Sequence, residues 1–312
     1  RERACSLLRG RQLIVAGDST AGQLFLSLVL LLGGSFGRNS RHTSSISDLT
    51  ASACSDTTRL NFIRNDLLLW STHRSEFNRA RECDKLLKAD AFVQRVSRDA
   101  DLLILATGHH FPASIESAAG INGGQKTGHS FFVGSFNHTL THLLSTRAAW
   151  GHAPSSVALM GASIPTPGCS RYTEPLSAAG WLEADAAHSA RSKYSPRWHQ
   201  VHRINTQLQW LARAHRLSFV DIAAPSSRWP SGHMAAHMHK SGGVDEDCLH
   251  SCLPGPVDTW SRLLIEAFIA RQQTPATDAA GSQPQPSEAG ATTVSRRVLR
   301  GRSARAATGS LP

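Results

Sequence analysis

Short apolar runs alternate along this chain with longer stretches in which apolar residues recur every three or four positions. Residues 12–16, Gln-Leu-Ile-Val-Ala, are one such run, with the length and branched side chains of a buried strand. Gly17 ends it, and the apolar stretch over residues 24–32 reads as the helix that follows. The alternation continues with a helix over 84–99, a buried strand over 101–107 opened by Asp101, and a strand over 157–160. Trp198, Val201, Ile204, Leu208 and Leu211 then recur at helical spacing and mark an amphipathic helix. Residues 217–222 read as a further strand, and Asp258 as the cap of a last helix carrying Leu263, Leu264, Ala267 and Phe268. Strand and helix in turn predict an α/β fold whose parallel sheet is covered by helices on both faces.

This pattern places one tripeptide where chemistry is expected. Gly17-Asp18-Ser19 joins a strand to a helix, which puts Ser19 at the carboxyl edge of a parallel sheet, where open α/β folds bind ligands. A serine hydroxyl attacks an ester only when a neighbouring base removes its proton. Histidine suits that task because it titrates near neutrality, and it needs a carboxylate on its other nitrogen to fix the tautomer. Asp247 and His250, three residues apart near the far end of the chain, supply such a pair. The expected roles are Ser19 as nucleophile, His250 as general base and then acid, and Asp247 as orienting carboxylate. This chemistry calls for no cofactor and no metal.

Residues 247–260, Asp-Cys-Leu-His-Ser-Cys-Leu-Pro-Gly-Pro-Val-Asp-Thr-Trp, resemble the Asp-Cys-x-His-Trp-Cys-Leu-Pro-Gly-x-x-Asp-x-Trp signature of the trichome birefringence-like family. These are polysaccharide O-acetyltransferases within the PC-esterase group of SGNH-like (GDSL-like) folds. Residues 9–19 resemble the family's Gly-Asp-Ser block, residues 101–110 its strand ending in Thr-Gly-His, and residues 228–233 its Arg-x-Asp-Gly-His stretch. The four blocks occur in family order over about residues 5–270. The chain departs from the pattern at Gly22, where arginine is usual, at Ala106 (asparagine), at His110 and Ser251 (tryptophan), and at Ser231 (aspartate).

The resemblance implies a three-layer SGNH-hydrolase-like sandwich with a mostly parallel central sheet. It implies an O-acetyltransferase that takes acetyl from a donor onto Ser19 and passes it to a polysaccharide hydroxyl. A carbohydrate esterase using the same three residues, and a non-catalytic glycan-binding relative, are the alternatives. In such a fold the nucleophile's own N–H and donors at neighbouring strand ends form the oxyanion hole. Gly108 and His109 are the candidates here for oxyanion or substrate binding, the plainer reading being a strand end and a solvated loop histidine. The resemblance also implies disulfide bridging and a lumenal location in the secretory pathway, in the Golgi, with a membrane anchor upstream of this chain.

Composition refines this picture. Among 312 residues, 40% are hydrophobic, enough for a sizeable core. From residue 272 the chain turns to Thr, Pro, Ala, Gly, Ser and Gln with scattered arginines, so 1–271 reads as the folded domain and 272–312 as a disordered basic tail. The net charge of +10 comes partly from that tail, and the remaining basic residues are scattered without interleaved aromatics, which argues against nucleic-acid binding. Cys5, Cys54, Cys83, Cys169, Cys248 and Cys252 permit up to three disulfides, their pairing left open by the sequence. The sequon Asn137-His138-Thr139 agrees with secretion. His233, His237, His239 and His250 with nearby cysteines lack the glutamate of a zinc-peptidase motif. No stretch reaches the length of a membrane span.

Overall fold

The computed structural model describes residues 1–37, 48–66, 68, 90–110, 124–166, 168–177, 179–180, 195–234, 237–238, 244–245 and 247–273. In chain order the elements are α1 (Glu2–Leu8), β1 (Gln12–Gly17), α2 (Ser19–Leu31), β2 (Ser35–Phe36), β3 (Asp48–Ala53), β4 (Thr58–Arg64), α3 (Asp90–Asp99), β5 (Leu102–Ala106) and α4 (Gly124–Ala149). They continue with β6 (Val157–Met160), α5 (Ser195–Ala214), β7 (Ser218–Val220), α6 (Ala223–Ser227), β8 (His237–Met238), β9 (Val244–Asp245) and α7 (Pro256–Gln273). A seven-stranded sheet runs in the order β2-β3-β4-β1-β5-β6-β7. Its strands from β4 to β7 are parallel, and β3 and β2 extend it antiparallel.

The central strands are apolar throughout because both faces are covered. Leu13, Val15, Leu102 and Ile104 join one core with Phe25 and Leu28 of α2 and Trp260 and Leu264 of α7. Ile14, Ala16, Leu103 and Leu105 join a second core with Val96 of α3, Leu140 of α4 and Leu208 of α5. Successive side chains of a strand point to opposite faces, so one uninterrupted run feeds two cores. The result is the expected three-layer arrangement with a mostly parallel sheet. Register aligns the strand ends: Gly17 faces Arg64 and Ala106, Ala106 faces Met160, and Met160 faces Val220. The loops leaving β4, β1, β5 and β6 therefore emerge side by side.

Several boundaries differ from expectation, each for a local reason. Helix α2 begins at Ser19 rather than near residue 24, because Asp18 Oδ1 accepts from the N–H groups of Thr20 at 3.0 Å and Ala21 at 3.4 Å. Such an N-cap stabilises a helix by about 1 kcal/mol. Asp258 lies inside α7 rather than capping it from outside. One of its oxygens reaches back to the Gly255 N–H at 2.9 Å, and the other accepts the Ser27 hydroxyl at 2.6 Å, tying α7 to α2. That helix also runs two residues past the expected domain end at 271. The helix expected over 84–99 is described as Asp90–Asp99, with 84–89 outside the described residues.

Helix α4 contains the Asn137 sequon. Asn137 Oδ1 lies 2.7 Å from His215 Nε2, and Thr139 is buried. Glycan acceptors belong in surface loops, so the triplet lends no support to secretion. Trp260, the last residue of the 247–260 block, is fully buried in the core.

Among the described residues two disulfides are present, Cys5–Cys54 joining α1 to the β3–β4 turn and Cys169–Cys248. Cys252 is an exposed free thiol, and Cys83 lies outside the described residues.

Candidate active site

The turn after β1 is made by close approach. A Cβ on Gly17 would lie 1.7 Å from the Ala106 carbonyl oxygen of the neighbouring strand, so only glycine lets the chain pass. Asp18 follows as a wholly buried cap, and Ser19 is the first residue of α2. Its N–H, in the first turn of the helix, has no intrahelical acceptor, and the positive end of the helix dipole lies at this position.

The segment after β9 brings the other two expected residues to this point. Asp247 Oδ1 accepts from the N–H groups of Leu249 at 3.2 Å and His250 at 3.0 Å, closing a tight turn. Asp247 Oδ2 lies 2.8 Å from His250 Nδ1, and His250 Nε2 lies 2.8 Å from Ser19 Oγ. Since an ionised carboxylate only accepts, Nδ1 carries the proton and the Nε2 lone pair faces the serine hydroxyl. Partial burial works against the charge on Asp247, yet the bonds from the His250 ring and backbone and from Leu249 outweigh it and hold the pKa down to about 2.

The loop is fixed from several sides. Cys248 is bonded to Cys169, and its carbonyl accepts the Thr166 N–H at 3.2 Å. The His250 carbonyl accepts the Met234 N–H at 3.0 Å, and the Cys252 N–H reaches the Gly232 carbonyl at 2.8 Å. Gln23, one turn beyond Ser19 on the same face of α2, grips Ser251 through both backbone groups. Its Nε2 donates to the Ser251 carbonyl at 2.6 Å, and its Oε1 accepts the Ser251 N–H at 3.1 Å. The helix that begins at Ser19 and the loop that carries His250 are thus joined by one side chain. Gln23→Ala is expected to lower kcat by about tenfold to a hundredfold through misplacement of His250, with the melting temperature shifted by a few degrees. Steady-state kinetics and a thermal melt check both halves.

Gly108 and His109 follow β5 at the same edge. Gly108 is buried, and a Cβ there would stand 2.5 Å from Ala162 Cβ; packing against the loop after β6 keeps the residue small. His109 is not solvated: its side chain is 6% exposed. Its Nδ1 lies 3.3 Å from Asp18 Oδ2 and its Nε2 2.7 Å from the Ser163 carbonyl. Both ring nitrogens are thus committed within the protein, a different use from the substrate contact expected of this residue. Beside it, His110 lies 3.7 Å from Asp66, which also pairs with Arg64 at 2.9 Å. The Gln23 clamp and the Asp18–His109 contact were not anticipated; no local pattern carries them, since each joins residues far apart in the chain. A cavity of about 270 Å³ lined by Arg11, Asp101, Ser155, Ser156 and Arg271 opens at the amino ends of β1 and β5, away from Ser19.

The α/β sheet with a serine at its carboxyl edge is an arrangement suited to acyl-ester chemistry, and comparison with known proteins gives the class. Residues 2–267 match the PC-Esterase family, described as a GDSL/SGNH-like acyl-esterase family found in Pmr5 and Cas1p. The chain belongs to this family, which places it among acyl-transferring or ester-cleaving enzymes. Among curated proteins it is similar to xyloglucan O-acetyltransferase 1 of Arabidopsis thaliana, 47% identical over 58 residues, or 16% of this chain and 14% of that protein. It is also similar to protein trichome birefringence-like 9 of the same plant, 26% identical over 104 residues, 33% of this chain and 22% of that protein. The matched stretches are therefore a small part of these relatives' length. Among solved structures, Axe2, an acetylxylan esterase from Geobacillus stearothermophilus, aligns at 11% identity with a TM-score of 0.39, covering 86% of this chain and 97% of that one.

Proposed function

We propose that this protein is a polysaccharide O-acetyltransferase that carries the acetyl group on Ser19. The observation that supports this most is the line of contacts from Ser19 Oγ through His250 to Asp247, each of 2.8 Å. In the first step His250 Nε2 takes the Ser19 proton as Oγ bonds to the acetyl carbon. The imidazolium so formed, held by Asp247, returns the proton to the leaving group of the donor. The Ser19 N–H and Gly108 stand as candidate donors to the transient oxyanion. In the second step a sugar hydroxyl gives its proton to His250 and takes the acetyl group, and Ser19 recovers its own. Xyloglucan, named for the relatives, is the acceptor class this reading favours.

Hydrolysis is the second reading. The His250 side chain is 28% exposed, so water reaches the base in the free enzyme and can replace the sugar. The two disulfides among the described residues favour an oxidising compartment, and we place the protein in the secretory pathway, in the Golgi lumen. Among the described residues no helix is long and apolar enough to cross a membrane. Incubation with a labelled acetyl donor, with and without xyloglucan, tests the proposal. Label on the glycan supports transfer; free acetate released equally with or without acceptor would establish an esterase instead.

A further inference from the structure

The contact between Asp18 and His109 determines the charge on both. His109 Nδ1 faces a carboxylate oxygen at 3.3 Å, and Nε2 faces the Ser163 carbonyl at 2.7 Å. A carbonyl oxygen has no proton to give, and an ionised carboxylate only accepts. The Ser163 hydroxyl, 3.2 Å from Nε2, can donate or accept, but the carbonyl is the nearer partner, and with a carboxylate on the other side these contacts favour a proton on each ring nitrogen, an imidazolium. Burial disfavours that cation, but the Asp18 hydrogen bond and charge, with the Ser163 carbonyl, raise the ring's pKa above its ordinary value. Burial likewise disfavours the Asp18 carboxylate, yet His109, His110 and the Thr20 bond outweigh it and hold its pKa well below the usual carboxylate range.

We infer that His109 is held as an imidazolium whose pairing with Asp18 fixes the position of Ser19. This positioning role rests on Ser19 being the nucleophile. Asp18 divides its two oxygens between two tasks. Oδ1 caps α2 through the Thr20 and Ala21 N–H groups and the Thr20 hydroxyl, the last at 2.6 Å. Oδ2 meets His109, which stands on the loop after β5 and is anchored to the loop after β6 through Ser163. The first turn of α2, and with it the Ser19 side chain and N–H, is thereby tied to two adjacent strand ends. A neutral residue at position 109 would leave a fully buried carboxylate without its countercharge, a costly state that the chain relieves by moving.

Among the described residues, the charged groups around the ring are few. Asp18 faces it from α2, His110 follows it on its own loop with Asp66 of the β4 loop behind, and Ser163 faces it from the β6 loop with only neutral oxygens. Ala162 and Ile204, packed beside Gly108, carry no charge. His109 therefore contributes its stabilisation fully below its ordinary value of 6.5 and loses it as pH rises through the raised folded value. Asp18 contributes fully above 3.8 and loses it as pH falls through its lowered folded value.

The test uses the full chain labelled with nitrogen-15 in histidine, with His109 assigned by the signal missing from His109→Gln. A pH titration of the ring nitrogens is expected to place the His109 midpoint above the ordinary imidazole value, with both nitrogens bearing protons below that midpoint. A midpoint at or below the ordinary value overturns the inference. In kinetics, His109→Gln is expected to lower kcat by about tenfold to a hundredfold with KM nearly unchanged. Adding Asp18→Asn, which removes the stranded charge, is expected to recover part of that loss. A folded His109→Gln protein with wild-type kcat overturns the positioning role. If the unaltered protein moves no acyl group, the nucleophile assignment fails, and the ring-proton measurement still judges the ion pair by itself.

Discussion

Ser19→Ala is expected to lower acetyl turnover by roughly 10⁴- to 10⁶-fold while leaving the fold in place. The side chain removed is small, and the contact it loses is to His250 Nε2 at 2.8 Å. The cap of α2 is made by the neighbouring Asp18 and survives the change. A thermal melt should therefore move little while transfer to glycan and release of acetate both stop. Residual turnover within tenfold of the unaltered protein would show that another group carries the acetyl.

Asp247→Asn is expected to have the next largest effect, a fall in kcat of about 10⁴-fold. An amide presents either an oxygen or an NH₂ group to His250 Nδ1. With the NH₂ turned inward, the ring proton moves to Nε2 and the lone pair needed by Ser19 is lost. The geometry of the loop changes less, because the amide oxygen can still accept from Leu249 and His250 N–H as Oδ1 does now. The same carboxylate gives the fold an acid limit. Its pKa falls from 3.8 to about 2 on folding, so its contribution is present above 3.8 and is lost as pH drops through that interval. Urea midpoints followed down the pH scale should decline more steeply for the unaltered protein than for Asp247→Asn, in which the Asp18 contribution still falls.

How much of this was legible in the chain depended on the range over which each feature is encoded. β1, β5 and β6 announced themselves because burial on both faces makes every position apolar. β3 and β4 did not, because Asp-Leu-Thr-Ala-Ser-Ala and Thr-Arg-Leu-Asn-Phe-Ile-Arg mix polar residues into half-covered strands. Helix α4 was hidden by its Gly, Thr, His and Phe, which give no apolar stripe of helical period. The tight turn of Asp247 and His250 was visible because three residues suffice to make it. The grip of Gln23 on Ser251 spans 228 positions, and the meeting of Asp18 with His109 spans 91. Such contacts are properties of the sheet's register, which no short window of residues contains. Gly108 illustrates the middle case: a strand-end glycine was evident, but the Ala162 methyl that requires it comes from the next strand's loop.

Cys248 sits between the carboxylate and the imidazole of the proposed triad and is covalently held by Cys169. A newly made chain whose thiols are still reduced has this segment tied by hydrogen bonds alone. If Ser19, His250 and Asp247 act as proposed, reduction of the Cys169–Cys248 bond is expected to loosen the segment that aligns two of them and to lower turnover.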